Sequence, residues 1–108
     1  MVTQQQSFAI AGQAKQALEK IYGDRLRDVF VFGSFARGEM AEDSDLDVAV
    51  VLDTVESRFA ERGRIGALAT DLSLSSGILV SFVFVEESDY RCGRYAVYRA
   101  IRREGVRV

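Results

Sequence analysis

Apolar residues in this chain follow two patterns, spaced stripes and unbroken runs. Phe8, Ala11, Ala14, Leu18 and Ile21 recur at close to helical spacing, and Gly23 stands where a helix would end. This predicts a helix over residues 7–22. Val29-Phe30-Val31-Phe32 is short, β-branched and aromatic, and Gly33 stops it, as in a buried strand. Residues 46–52, with Val48-Ala49-Val50-Val51-Leu52, read as a second strand. Phe59, Ile65, Leu68, Ala69 and Leu72 are candidate core positions of a helix over 56–74, although Gly63 and Gly66 weaken it. The apolar run 78–85 follows Ser76-Gly77 and makes a third strand. A last helix is expected over 89–103, with Tyr90, Val97, Tyr98 and Ile101 partly inward. Gly105 ends it, and residues 106–108 add a short edge strand. The order α-β-(loop)-β-α-β-α predicts an α/β (α+β) fold, a small mixed β-sheet with helices mainly on one face.

Composition narrows the class. The 108 residues make one expected domain, 1–108, with 48% apolar and 28% charged residues, the balance of a globular protein rather than a disordered one. There is no His, so a Ser-His-Asp triad, a Cys-His pair and a His-ligated zinc site are all excluded. A single Cys92 can form neither an internal disulfide nor a Cys-based metal site, and is expected as a buried or half-buried thiol. No apolar run approaches the ~18 residues of a membrane span. The stretch Met1-Val2-Thr3-Gln4-Gln5-Gln6 carries no positive charge before an apolar segment and does not read as a secretory signal, so the expected location is cytoplasmic.

Net charge is -2, without the basic excess of a general nucleic-acid binder, so nucleic acid is an unlikely partner. The distribution says more. Glu39, Glu42, Asp43, Asp45, Asp47, Asp53 and Glu56 form an acidic middle with no base among them, and Arg91, Arg94, Arg99, Arg102, Arg103 and Arg107 make a basic tail. Acids gathered inside a fold repel unless a cation or arginines neutralise them. In general such runs are solvated faces, so only a motif makes the sharper reading worth holding.

The motif lies between the first two strands. Asp45 and Asp47 are two apart at a strand start, where side chains i and i+2 share a face and can converge on one hard cation such as Mg²⁺. Ser44 can hydrogen-bond locally and shape the turn into the strand. At the other end, Gly33-Ser34 directly follows a strand; glycine permits a tight turn and close approach of a phosphate to the backbone. If Phe35-Ala36-Arg37 starts a helix, successive N–H groups there form an anion site, to which the Ser34 hydroxyl and the Arg37 guanidinium add donors. Singly, each feature is commonly a turn, a solvated strand end or a surface cation. Together they offer a phosphate cradle beside a metal-binding Asp-x-Asp, which is what a nucleoside triphosphate requires.

Gly33-Ser34-Phe35-Ala36-Arg37-Gly38 followed by Ser44-Asp45-Leu46-Asp47, with ten residues between Ser34 and Asp45, resembles the signature of the minimal nucleotidyltransferases. These belong to the DNA polymerase β-like nucleotidyltransferase superfamily, and the likeness extends more loosely over nearly the whole chain. It implies a nucleotidyltransferase-like fold in which Gly33 and Ser34 hold the triphosphate, with Arg37 and Ser44 beside it. Asp45 and Asp47 would be catalytic and would bind Mg²⁺, two ions in the full site. The reaction would move a nucleoside monophosphate, AMP from ATP, onto an acceptor hydroxyl. Many small members pair with a helical HEPN protein and act as antitoxin, some by adding AMP to a tyrosine of the toxin.

The resemblance also implies a third carboxylate in the last long strand, and here the chain departs. Val80-Ser81-Phe82-Val83 aligns with a Val-Asp-Leu-Val pattern, which puts Ser81 at the Asp position. Ser81 is no general base and a weak metal ligand. Glu87 has the same strand parity but lies about 20 Å along a regular strand. A second reading is therefore a catalytically impaired module that binds nucleotide and partner and acts by masking. A domain this small needs a partner or a homodimer to complete an acceptor site. Tyr90, Tyr95 and Tyr98 among the tail arginines could make a base-stacking face, but such helices more commonly pack their tyrosines. Phe35 and Met40, flanking the glycine loop, are read as core.

Overall fold

The computed structural model describes residues 2–108. Met1, at the head of the stretch weighed as a leader, lies outside them. Helix α1 spans Gln4–Tyr22 and begins three residues before the expected start at Ser7. A capping box sets this start: the Gln6 N–H donates to Thr3 Oγ1 at 3.1 Å and the Thr3 N–H to Gln6 Oε1 at 2.8 Å. Strand β1 is Leu26–Phe32, helix α2 the single turn Ser34–Arg37, and strand β2 Leu46–Leu52. Helix α3, Arg58–Ser76, is capped by Ser57 and closed by Gly77 in the left-handed region. Strand β3 is Val80–Glu86. The sheet order is β3-β2-β1-β4, with β4 Val106–Arg107 at the edge. β1 runs antiparallel to both β2 and β4, whereas β2 and β3 are parallel and α3 is their crossover.

The two faces of the sheet are covered unequally. Val29, Val31, Leu46, Val48, Val50, Leu52, Val80 and Phe84 point to one face, under Ala11, Ala14 and Leu18 of α1 and Ile65 and Leu72 of α3. Phe30, Ala49, Val51 and Val85 point to the other, under Tyr98 and Ile101. Each full burial of a large aliphatic side chain stabilises the fold by about 1.5–3 kcal/mol.

That second cover is where the expected last helix differs. It is two helices, α4 Glu87–Cys92 and α5 Ala96–Glu104, broken at Gly93, whose φ of 64° no helix continues through. The break lets Tyr90 stack on Phe30 at 5.5 Å while Tyr98 is buried, so two of the three tyrosines pack and Tyr95 is about half exposed. Val97 turns largely outward. Cys92 is exposed, not buried, because α4 ends on it at the surface. Phe59 is also outside the core: the inward stripe of α3 runs through Glu61, Ile65, Leu68 and Leu72, and a residue two before Glu61 faces away. Gly63 and Gly66 stay within the helix, each open to space.

Glu61 is a buried acid, satisfied from three sides. Tyr22 donates to it at 3.1 Å, Arg25 at 3.2 Å, and Arg64 pairs with it at 3.1 Å. Burial, then the hydrogen bond to Glu61, push the Tyr22 hydroxyl from 10.0 up to about 12. A folded-state value above the unfolded one means stability that is present below pH 10 and lost as pH rises toward 12. Denaturant melts across that window should lose on the order of 2 kcal/mol, a loss that Tyr22→Phe removes.

Candidate functional site

The signature loop forms at one end of the sheet, opposite the Glu61 network. β1 carries the chain to Gly33, which turns at φ 74°, and α2 starts at once from Ser34. As in any first helical turn, the N–H groups of Ser34, Phe35 and Ala36 have no carbonyl four residues back within the helix. The loop is braced from two sides. Gln4 of α1 donates through its side-chain amide to the Phe35 carbonyl at 2.9 Å, and Phe35 itself is fully buried. Gly38, at φ 70°, closes α2, and Glu39 N–H returns to the Ser34 carbonyl at 2.9 Å. Met40 packs partly against the larger core, as Phe35 does.

The chain then crosses to β2. Ser44 accepts from the Ala41 N–H at 2.8 Å through Oγ, and its own N–H donates back to the Ala41 carbonyl at 3.1 Å. Ser44 thus sets the turn that delivers Asp45 and Asp47 to the strand. Asp45 is exposed and Asp47 half-buried. Leu46 and Val48 enter the larger core, so strand alternation aims Asp47 at the opposite face. It stands in register with Phe32 on β1 and Ser81 on β3, making one row across three strands.

Gly33 and Asp47 are in intimate contact across that row. A Cβ at position 33 would collide with Asp47 Oδ2. Only glycine lets the backbone turn here and leaves room for the carboxylate. Burial, then the negative charge of Asp45, raise the Asp47 carboxyl above its ordinary value, and the positive charge of Arg37 opposes them. The two carboxylates and the loop arginine therefore act on one another through space. An acidic pair held in a partly desolvated place is unfavourable by itself and favourable with a cation. Its donors are hard oxygens, which suit Mg²⁺.

The expected site residues meet this arrangement differently. Gly33, Ser34, Asp45 and Asp47 converge at the ends of β1 and β2. Ser44 shapes the loop by a main-chain bond. Arg37 is exposed and holds two carboxylates, Glu39 at 3.1 Å and Glu104 at 3.2 Å. Glu104 ends α5, so Arg37 ties the glycine loop to the C-terminal helix. Sequence reasoning missed Gln4 and Glu104, which lie 31 and 67 residues from their loop partners. No third acidic or sulfur ligand joins Asp45 and Asp47 among the described residues. Ser81 occupies the neighbouring place on β3. Glu86 and Glu87 are at the far end of that strand, Glu86 accepting from Val55 N–H and Glu87 paired with Arg91. No helix among the described residues is long and apolar enough to cross a membrane.

Comparison with known proteins bears on the family and the fold. The family described as "Nucleotidyltransferase domain" matches residues 12–103. A protein of Methanocaldococcus jannaschii, provisionally named a protein adenylyltransferase, is 32% identical over 79 residues, which are 73% of this chain and 79% of the relative. Among solved structures, a toxin-antitoxin crystallised with AMP-PNP superposes with a TM-score of 0.62 at 20% identity, covering 88% of this chain and 69% of that chain. A complex of the tri-AMPylated Shewanella oneidensis HEPN toxin with its MNT antitoxin gives a TM-score of 0.61 at 16% identity, covering 94% and 70%. At these identities the solved structures carry the fold.

Proposed function

This chain belongs to the nucleotidyltransferase domain family, and we propose that it transfers AMP from ATP to a hydroxyl of a partner protein. The observation that carries this reading is the contact of the Gly33 turn with the Asp47 carboxylate, Asp45 beside it. A phosphate-binding turn and a metal-binding acid pair share one place. In the transfer, the acceptor oxygen bonds to the α-phosphorus and the bond to the bridging oxygen breaks. Pyrophosphate leaves, and the acceptor proton passes to solvent.

Each group has a role in that reaction. Gly33 and Ser34 approach the phosphates, the first-turn amides of α2 and the Arg37 guanidinium supply donors, and Ser44 holds the loop. Asp45 and Asp47 hold Mg²⁺, which when bound neutralises charge on the departing pyrophosphate. Arg37 can turn from Glu104 to a phosphate at little cost, since an exposed ion pair is screened by solvent.

The partner we propose is a helical HEPN-type toxin, with this chain as its antitoxin. What supports this is that one superposed structure is a toxin-antitoxin with AMP-PNP and the other a tri-AMPylated HEPN toxin in complex with its MNT antitoxin. A second reading, a module that binds nucleotide and toxin and acts by masking, is favoured by Ser81 standing next to Asp47.

The test is a transfer reaction. The protein, Mg²⁺ and α-³²P-ATP are added to lysate of the native host, with and without EDTA. Label on one discrete protein that disappears with EDTA is the expected result. Absence of label, with a helical partner co-purifying, would instead support masking.

A further inference from the structure

We infer that Ser81 makes this a one-ion site: Asp45 and Asp47 hold a single divalent cation with the triphosphate, and a neutral hydroxyl fills the place where a further acid would hold a second. The inference rests on the nucleotide-binding reading of Asp45 and Asp47, and concerns how many ions that site takes.

Register fixes the place. Asp47 and Ser81 are paired residues of adjacent parallel strands. Their successors Ala49 and Val51, and Val83 and Val85, lie in the same smaller core cluster, so both side chains point to one face of the sheet. Ser81 is half-buried, like Asp47. It is thus the β3 side chain nearest in register to the acid pair, and it carries no charge.

Charge then decides the number. Ions sharing a two-metal site stand about 3.5–4 Å apart. Such close dications repel and are held together by anionic ligands between and around them. A serine hydroxyl can ligate one Mg²⁺, as it does in phosphate-binding loops, but it does nothing to offset a second dication. No other acid among the described residues is positioned to replace it. Asp53 pairs with Arg25 at 3.2 Å at the far end of β2, and Glu87 pairs with Arg91 at the far end of β3. Among the described residues no third acid gathers with Asp45 and Asp47. A triphosphate brings enough charge for one ion to sit between it and two carboxylates. A second ion, which could help activate an acceptor hydroxyl, would lack an anionic ligand at Ser81. The site is therefore built to retain nucleotide more strongly than to turn it over.

The experiment counts ions. Purified protein is saturated with AMP-PNP and titrated with Mn²⁺, and free Mn²⁺ is read by electron paramagnetic resonance. One Mn²⁺ per chain is expected in the wild-type complex, one in Ser81→Asn, and two in Ser81→Asp. With ATP and an acceptor, Ser81→Asp should also raise transfer at least tenfold, that is, by about one unit of log rate or more. Two ions in the wild type would overturn the inference, as would a single ion in a folded Ser81→Asp. No Mn²⁺–AMP-PNP binding by the wild type at all would overturn the reading of Asp45 and Asp47 itself.

Discussion

Asp45→Asn combined with Asp47→Asn should reduce nucleotide transfer by about 10³-fold or more and at the same time raise the melting temperature of the free protein. The two effects have one origin. In the free protein Asp47 is partly desolvated and faces the charge of Asp45, so its folded-state value lies above the unfolded one. A carboxylate raised in this way contributes stability that is present below its ordinary value and lost as pH rises through the folded value. Near neutral pH the ionised pair therefore opposes folding. Asparagine keeps the shape and removes the charge, so the unfavourable term goes. It also removes the anionic oxygens that a hard cation needs, and several kcal/mol of transition-state stabilisation go with them. A residue pair kept against the interest of stability marks a site. Thermal melts without and with Mg²⁺-AMP-PNP check both halves: the variant should melt higher than wild type alone, and the nucleotide complex should stabilise only the wild type. A variant that melts lower and still responds to nucleotide would overturn both.

Local chemistry was well legible from the chain. The run Val48-Ala49-Val50-Val51-Leu52 is buried on both faces and could only be a central strand. The glycine after Phe32 and the acids two apart were readable because each needs only its neighbours to act. Ser81 was legible only through the family resemblance, and the structure then sets it in register beside Asp47. The start of α1 was missed by three residues, because apolar spacing begins only near Ser7 whereas the polar Thr3–Gln6 capping box starts the helix at Gln4.

What escaped was set by contacts across the chain. Apolar spacing continues through Gly93, and nothing local says that Tyr90 must reach Phe30 while Tyr98 and Ile101 cover the sheet from a different direction. The break follows from that demand. Phe59 looked like core because it is aromatic, but the inward side of α3 is set by Glu61, whose partners Tyr22 and Arg25 come from another part of the sequence. Arg37 was read as a phosphate donor from its place in the motif. Its tether to Glu104 depends on α5 ending above the glycine loop, which only the fold decides.

The second large effect is expected at Gly33, and its companion Gly38 separates the reasons. Both have positive φ, 74° and 70°, but Gly38 is left-handed helical, where alanine strains the backbone by about 1–2 kcal/mol, whereas Gly33, at ψ -154°, lies in a region open essentially to glycine alone, where the strain is about 1–3 kcal/mol. At Gly38 the added methyl meets only the end of the Gln4 side chain at 3.6 Å, an ordinary contact. Gly38→Ala should cost that strain and little else, with transfer falling no more than a few-fold. At Gly33 the methyl collides with the Asp47 carboxylate, which must swing aside to admit it. Either the turn opens away from the phosphates or Asp47 moves off the metal position. A displacement of about 1 Å at reacting groups can cost about 10²-fold. Gly33→Ala should therefore lose transfer by about that factor or more, with a stability loss that exceeds that of Gly38→Ala. Paired kinetics and denaturant melts of the two variants measure the difference. Equal losses of transfer at the two glycines would mean that backbone strain alone is felt, and that the contact between turn and carboxylate is not what makes this loop a nucleotide site.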